Sequence, residues 1–255
     1  MPTVFFDKEL CRLRETLAQM GGAVERMLDT ALAALRSGDV DLADQTIALD
    51  KGINDQENRI INKTILLIAT NQPVAGDLRF LAASLRMASE LERIGDLAAN
   101  LARRAKTLAE VAPRTPLPDD VDELADMARH MLGLALNAFA DRDQNKAGDV
   151  LALDDGVDDL NRQVRRRLVE EIAADGSRVH WGLEIINTAA HLERLGDHAT
   201  NLAEEVIYIY SGHNVRHSLP SGIRPSAEAS AKRDMAGPAA DLADGRRQDR
   251  EDVED

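Results

Sequence analysis

The chain carries one motif twice. Leu91-Glu92-Arg93-Ile94-Gly95-Asp96, with Asn100-Leu101-Ala102 after it, returns as Leu192-Glu193-Arg194-Leu195-Gly196-Asp197 followed by Asn201-Leu202-Ala203. The repeat is longer than the motif. Met27-Leu28 matches Met131-Leu132, and Ala48-Leu49-Asp50-Lys51-Gly52-Ile53-Asn54 matches Ala152-Leu153-Asp154-Asp155-Gly156-Val157-Asp158, both 104 positions on (131 less 27). The acidic motifs lie 101 positions apart (193 less 92), so three residues are lost between, around Asn71 to Gly76 against Asp175-Gly176-Ser177. Gly, Asp and Asn recur in phase along with the apolar positions, which a heptad coincidence does not explain. Whatever one half folds into, the other half folds into as well.

Apolar residues recur at three and four positions, the period of a helix face. With only 3% aromatic residues among 44% hydrophobic ones, the composition suits a helical bundle and not a β-sandwich. A first helix is expected from about Asp7 to Arg36 on Leu10, Leu13, Leu17, Met20, Val24, Met27, Ala31 and Leu35, with Gly21-Gly22 as a kink point and Cys11 in the core. Ser37-Gly38-Asp39 reads as a stop and a new N-cap. The second helix runs to about Thr70 with Leu42, Leu49, Ile53, Ile60 and Leu67 inside, and Pro73 opens a third, in which Leu78, Leu81, Leu85 and Ala88 form the buried column. Pro113, Pro116 and Pro118 mark a boundary. The last helix is expected from an N-cap at Ser177 to Tyr210, ended by Gly212.

The expected fold is therefore all-α: two tandem three-helix bundles, six long helices related by pseudo-twofold symmetry. The halves span 1–112 and 119–213, with a Pro-rich linker at 113–118 between them. Residues 214–255 lack periodic apolar positions and read as a disordered acidic tail.

Charge and cysteine content narrow the function classes. A net charge of −14 opposes binding to nucleic acid or to an anionic membrane surface, leaving proteins and cations as partners. A single cysteine, Cys11, makes no intramolecular disulfide, and no secretory signal or spanning segment is read, so the expectation is a cytoplasmic protein.

The chemistry reduces to oxygen donors on neighbouring helices. Glu92, Asp96 and Asn100 stand at i, i+4 and i+8, as do Glu193, Asp197 and Asn201, so each set lies along one face. Asp50 and Asn54 on the preceding helix complete a first candidate site; Asp154 and Asp158 complete a second, to which His198 adds a nitrogen. Carboxylate and amide oxygens suit hard cations such as Mg²⁺, Ca²⁺, Mn²⁺ and Fe³⁺. Enzyme signatures are missing. None of the six histidines has an acid three residues before it, as di-iron bundles require, and there is no glycine-rich phosphate loop, Cys-x-x-Cys pair or nucleophile elbow. Trp181 and His180 read as packing, and Arg79, Arg86 and Arg93 as a solvated basic stripe.

The segment Gln72-Pro73-Val74-Ala75-Gly76-Asp77-Leu78-Arg79, the two acidic motifs and the closing Val206-Ile207-Tyr208 with Gly212 resemble the PhoU family of phosphate-transport accessory proteins over residues 7 to 212. The resemblance implies metal clusters on the Glu-x-x-x-Asp motifs, holding Fe³⁺, Mn²⁺, Mg²⁺ or Zn²⁺. It also implies a noncatalytic adaptor that damps phosphate-starvation signalling through contacts with the ATP-binding subunit of a phosphate importer and a sensor histidine kinase. Such a protein would be recruited peripherally to the inner membrane by protein partners and could form a homodimer. Arg79 and Arg86 are candidate partner-binding cations. Asn54 departs from Asp158 at its twin position, so the two sites are expected to differ. A metal-dependent enzyme or metal-storage bundle is the alternative.

Overall fold

The computed structural model describes residues 2–113, 115–213 and 215; the expected tail lies outside the described residues apart from Val215. Six helices account for the described chain: α1 (Pro2–Ser37), α2 (Val40–Asn71), α3 (Ala75–Val111), α4 (Asp119–Asp141), α5 (Gln144–Ala174) and α6 (Val179–Ser211). Their ends follow from local chemistry. Gly38 adopts φ 68° and Gly212 φ 77°, the left-handed cap conformation that glycine takes without strain. Asp39 and Asp143 cap α2 and α5 by accepting from the backbone N–H of Leu42 and Asn145, each satisfying an otherwise orphan donor.

Three expected boundaries move. Helix α1 starts at Pro2, five residues earlier than Asp7, and runs unbroken through Gly21-Gly22. Pro73 lies outside α3, which begins at Ala75 after an extended Val74. Before α6 comes a single 3-10 turn, Gly176–Arg178, capped by Asp175, whose Oδ1 accepts from Ser177 N–H at 3.0 Å and Ser177 Oγ at 2.7 Å. Asp175 thus caps the 3-10 turn, while α6 itself starts after Arg178 with no side-chain cap, so Ser177 does not take the capping role expected of it.

Within each half all three helices touch one another, and the halves join through α3 against α6 and α1 against α4. Residues buried on these helices form one continuous core, with Leu17, Met20, Met27, Leu28, Leu91, Ile94, Leu124 and Met131 fully enclosed. Each such side chain contributes roughly 1.5–3 kcal/mol, so the core holds the repeats in one body. Gly21 permits the α1–α4 approach: a β-carbon there would lie 2.6 Å from Leu136 Cδ2.

Leu49, Leu78 and Cys11 are exposed where the heptad pattern places them inside. The buried face of α2 is a narrow seam of Ala43, Thr46, Ile53, Ile60, Thr64 and Leu67. Between Thr46 and Ile53 that seam passes between Leu49 and Asp50, which turns the leucine outward and draws the aspartate in. Leu78 stands on the first turn of α3, ahead of the enclosed Phe80 and Leu81. Cys11 is rotated about 100° from its neighbour Leu10, away from the packed Leu13 and Leu17. Trp181 is buried, and Arg178 stacks over its ring at 4.3 Å, in line with a packing role.

Candidate metal centres

Each acidic motif has a glycine at its middle, and the structure gives that glycine a task that the sequence reading left unassigned. A β-carbon on Gly95 would lie 3.1 Å from Ile53 Cγ2 of α2; one on Gly196 would lie 3.3 Å from Val157 Cγ1 of α5. Ile53 and Val157 are twin positions in the repeat. The bare glycine backbone therefore lets α2 lie close on α3, and α5 on α6, beside the residues that carry the acids. Recurrence of Gly in phase inside an acidic motif was the available signal.

In the second half, ligand atoms of Asp158 from α5 and of Glu193 and Asp197 from α6 all lie within 4.8 Å of one another. Asp154, one turn before Asp158, accepts a hydrogen bond from Thr200 Oγ1 at 3.0 Å. The electrostatics are those of crowded carboxylates. Burial, opposed by the Thr200 bond and reinforced by Asp158 and Asp197, raises Asp154 to about 6. Burial is also the largest cause raising Asp158, Glu193 and Asp197, with neighbouring acids adding to it in each. Such a site holds negative charge poorly unless a cation shares it.

Among the described residues the first half brings no three of its acids as close together as this, although Asp50, Glu92 and Asp96 still act on one another. Burial first, then Asp96, raises Asp50, while Arg103 opposes; burial, then Asp96, raises Glu92, with Glu57 and Asp50 contributing. Asn54 occupies the position of Asp158. Arg93 lies 3.6 Å from Glu92 and 3.5 Å from Asp96. Asp50 Oδ1 and Asn54 Oδ1 are buried without a hydrogen-bond partner. Orphaned buried oxygens carry a desolvation cost of about 1–3 kcal/mol each, and both belong to the proposed ligand set. An all-oxygen donor set with unpartnered oxygens fits a hard cation.

The asparagines and His198 are placed differently from the acids. Each step of four residues rotates 40° on an α-helix, so i+8 stands 80° from i. Asn100 Oδ1 accepts from Arg103 at 2.7 Å. Asn201 Nδ2 donates to Glu90 Oε2 at 3.1 Å, and His198 Nδ1 lies 2.7 Å from the same oxygen. Asn201 and His198 therefore face the α3–α6 seam, leaving Asn201 only its oxygen and His198 only Nε2 for any ligand.

The three arginines form no uniform solvated stripe. Arg86 makes a bidentate pair with Glu205 at 2.5 Å through both oxygens and stacks over Tyr208 at 5.2 Å. Arg79 lies against Gly212, its Cζ 3.6 Å from where a β-carbon would stand, beside the negative end of the α6 dipole. Both therefore tie α3 to α6, while Arg93 covers the first acidic motif.

Comparison with known proteins places this geometry among relatives. The family model described as "PhoU domain" matches twice, at residues 17–105 and 121–206. The "Phosphate-specific transport system accessory protein PhoU homolog" of Rhizobium meliloti (strain 1021) is 33% identical over 226 residues, covering 89% of this chain and 93% of the relative. The protein of that same name from Pseudomonas putida is 37% identical over 212 residues, covering 83% of each. The crystal structure of PhoU from Pseudomonas aeruginosa superimposes with a TM-score of 0.79 at 36% identity, over 82% of this chain and 100% of that one. The phosphate transport system regulatory protein PhoU from Streptococcus pneumoniae gives 0.76 at 27% identity, over 82% and 99%.

Proposed function

The chain belongs to the PhoU family, and from that premise we propose that it is a noncatalytic accessory protein of a phosphate-specific transport system, restraining phosphate uptake and phosphate-starvation signalling. Its partners on this reading are the ATP-binding subunit of the importer and a phosphate-sensing histidine kinase. The observation that carries the reading is the family match in both halves, over nearly the whole described helical body. No helix among the described residues is long and apolar enough to cross a membrane; recruitment through protein contacts supplies the membrane location that a transporter accessory needs. With a charge of −14, the chain gains nothing from an anionic bilayer.

Metal binding is the second part of the proposal, and it is supported by the Asp158–Glu193–Asp197 grouping. Asp154, Asp158, Glu193 and Asp197 would hold one centre; Asp50, Asn54, Glu92 and Asp96 would hold the other. A bound cation supplies positive charge to acids that burial and mutual repulsion now raise. The chain's own contribution is alignment. Gly95 and Gly196 bring α2 and α5 close, and the paired acids face one another across the α2–α3 and α5–α6 seams. Relief of their repulsion would fasten each outer helix to the central α3–α6 pair and so fix the shape of the outer helix faces, which are available for docking.

The test of the regulatory part is genetic and biochemical. In phosphate-rich medium, a clean deletion strain should express phosphate-starvation genes that the parent represses, and the tagged protein should copurify with transporter and kinase. Normal repression in the deletion strain would refute the regulatory reading. For the metal part, combined Glu92→Ala, Asp96→Ala, Glu193→Ala and Asp197→Ala should abolish metal content of the purified chain; unchanged content would eliminate these residues as ligands.

A further inference from the structure

The two ends of the α3–α6 seam are twins in the repeat, yet only one of them is filled. At the filled end, where α3 begins and α6 stops, Arg14 of α1 lies over Phe80 at 4.4 Å and Phe139 at 5.8 Å and donates to Tyr210 Oη at 2.6 Å. At the other end a cavity of about 490 Å³ opens between the last turns of α1 and α3, the linker and the first turns of α6. Its walls carry Leu35, Ala105 and Ala109 where the filled end has Phe139, Val206 and Tyr210, and Trp181 and Ile185 where it has Phe80 and Ser84. The larger Trp181 and Ile185 do not close the gap. Helix α4 starts at Asp119, the twin of Glu15 (119 less 104), so it has no counterpart of residues 2–14 of α1. The volume is that of a ligand pocket, roughly 300–1,000 Å³. Ala109 stands about 20 Å along α3 from Asp96, and Trp181 about 18 Å along α6 from Glu193, so neither acidic motif takes part.

We propose that this cavity docks a segment of a partner protein that inserts a bulky apolar side chain, such as Phe or Leu, flanked by Arg or Lys. The walls call for the anchor. Leu35, Ala105, Trp181 and Ile185 are each at most 9% exposed. Arg178 already covers Trp181 at 4.3 Å, so the guanidinium that Arg14 supplies at the filled end has a counterpart here, and the missing part is apolar bulk. The surroundings call for the basic flank. Segments 35–44, 104–126 and 171–185, which carry the lining residues, hold twelve acids against five bases. Arg36, Arg104, Lys106 and Arg178 are all paired with acids, and Arg114 lies outside the described residues. Asp39 and Asp175 serve as caps. That leaves Asp41, Glu110, Asp119 and Glu123, all exposed, to meet a partner. Opposite charge on that partner steers it and fixes its register, while the buried anchor carries the affinity.

Trp181 is the only tryptophan of the chain and forms a wall of the cavity, so its emission reports occupancy. The full chain is titrated with three tryptophan-free peptides: Arg-Phe-Arg-Leu-Arg, the same with Glu for each Arg, and the same with Gly for Phe and Leu. Only the first is expected to shift the Trp181 emission, with an affinity that falls severalfold between about 50 and 300 mM NaCl. Ala109→Tyr, which copies the twin Tyr210 into the wall, should weaken that peptide by about tenfold or more. Asp119→Lys with Glu123→Lys leaves the wall untouched and should weaken it severalfold. Circular dichroism of each variant checks the fold. No Trp181 response to the first peptide, as when a second copy or the chain's own residues already fill the cavity, would overturn the proposal. So would an equal response to the acidic peptide, or unchanged affinity in the folded Ala109→Tyr variant; if that variant fails to fold, unchanged affinity in the doubly charged variant overturns it.

Discussion

Replacing Asp154 with asparagine should stabilise the metal-free protein, although it removes a residue of the candidate centre. Asp154 is raised from an ordinary 3.8 to about 6, chiefly by burial, then by Asp158, Asp197 and Asp155, against the opposing bond from Thr200. A rise of this size corresponds, at about 1.4 kcal/mol per pH unit, to about 3 kcal/mol of penalty for keeping the charge in the folded chain at pH 7. The side chain is only partly buried, and solvent screening trims the effect to about 1–2 kcal/mol. Asparagine keeps an oxygen that can accept from Thr200 Oγ1, so the existing hydrogen bond survives. The sign with pH follows from proton linkage. Between about 3.8 and 6 the folded wild type holds a proton that the unfolded chain releases, so this group's contribution to stability falls as pH rises through that window and is constant above it. Urea unfolding in EDTA, followed by circular dichroism at pH 4.5 and 7.5, should show Asp154→Asn more stable than wild type at pH 7.5 and close to it at 4.5. Added Mn²⁺ should reverse the order at pH 7.5. A variant less stable than wild type in EDTA at pH 7.5, or one that keeps the full wild-type pH slope, would refute the assignment of a buried-charge penalty to this carboxylate.

Three further outcomes follow from the same geometry. Gly196→Ala places a methyl 3.3 Å from Val157, so metal affinity at the second centre should fall severalfold while the helix gains up to about 1 kcal/mol of propensity; an unchanged Mn²⁺ isotherm would show that the close approach is dispensable. Arg86→Glu faces the nearly buried Glu205 with a like charge and, since the Arg86 side of the pair is 42% exposed, should cost about 1–3 kcal/mol, seen as a lowered urea midpoint; a fully stable variant with lost partner binding would restore Arg86 to a docking role. Gly21→Val presses on Leu136 across the α1–α4 contact and should cost about 1–3 kcal/mol, measurable as a lowered melting temperature, whereas no change would mean that α4 shifts freely.

The sequence by itself determined what is periodic and what is repeated. The apolar spacing made six helices, the caps at Asp39 and Gly212 bounded them, and the recurrence of Glu-x-x-x-Asp with Asp50 and Asp154 in phase paired each acidic motif with acids of the preceding helix, since these signals are local and written in residue order. Tertiary structure decided everything that depends on which helix meets which. Heptad counting put Leu49 and Cys11 inside, but an α-helix turns 3.6 residues at a time and a narrow seam leaves both outside. Spacing alone grouped Asn100 and Asn201 with the acids, yet the 80° accumulated over eight residues turns Asn201 toward Glu90 across the α3–α6 seam. Arg86 looked like a surface cation because its partner, Glu205, lies 119 positions away. Only the packing of α3 on α6 brings the two together, and with them the halves of the repeat.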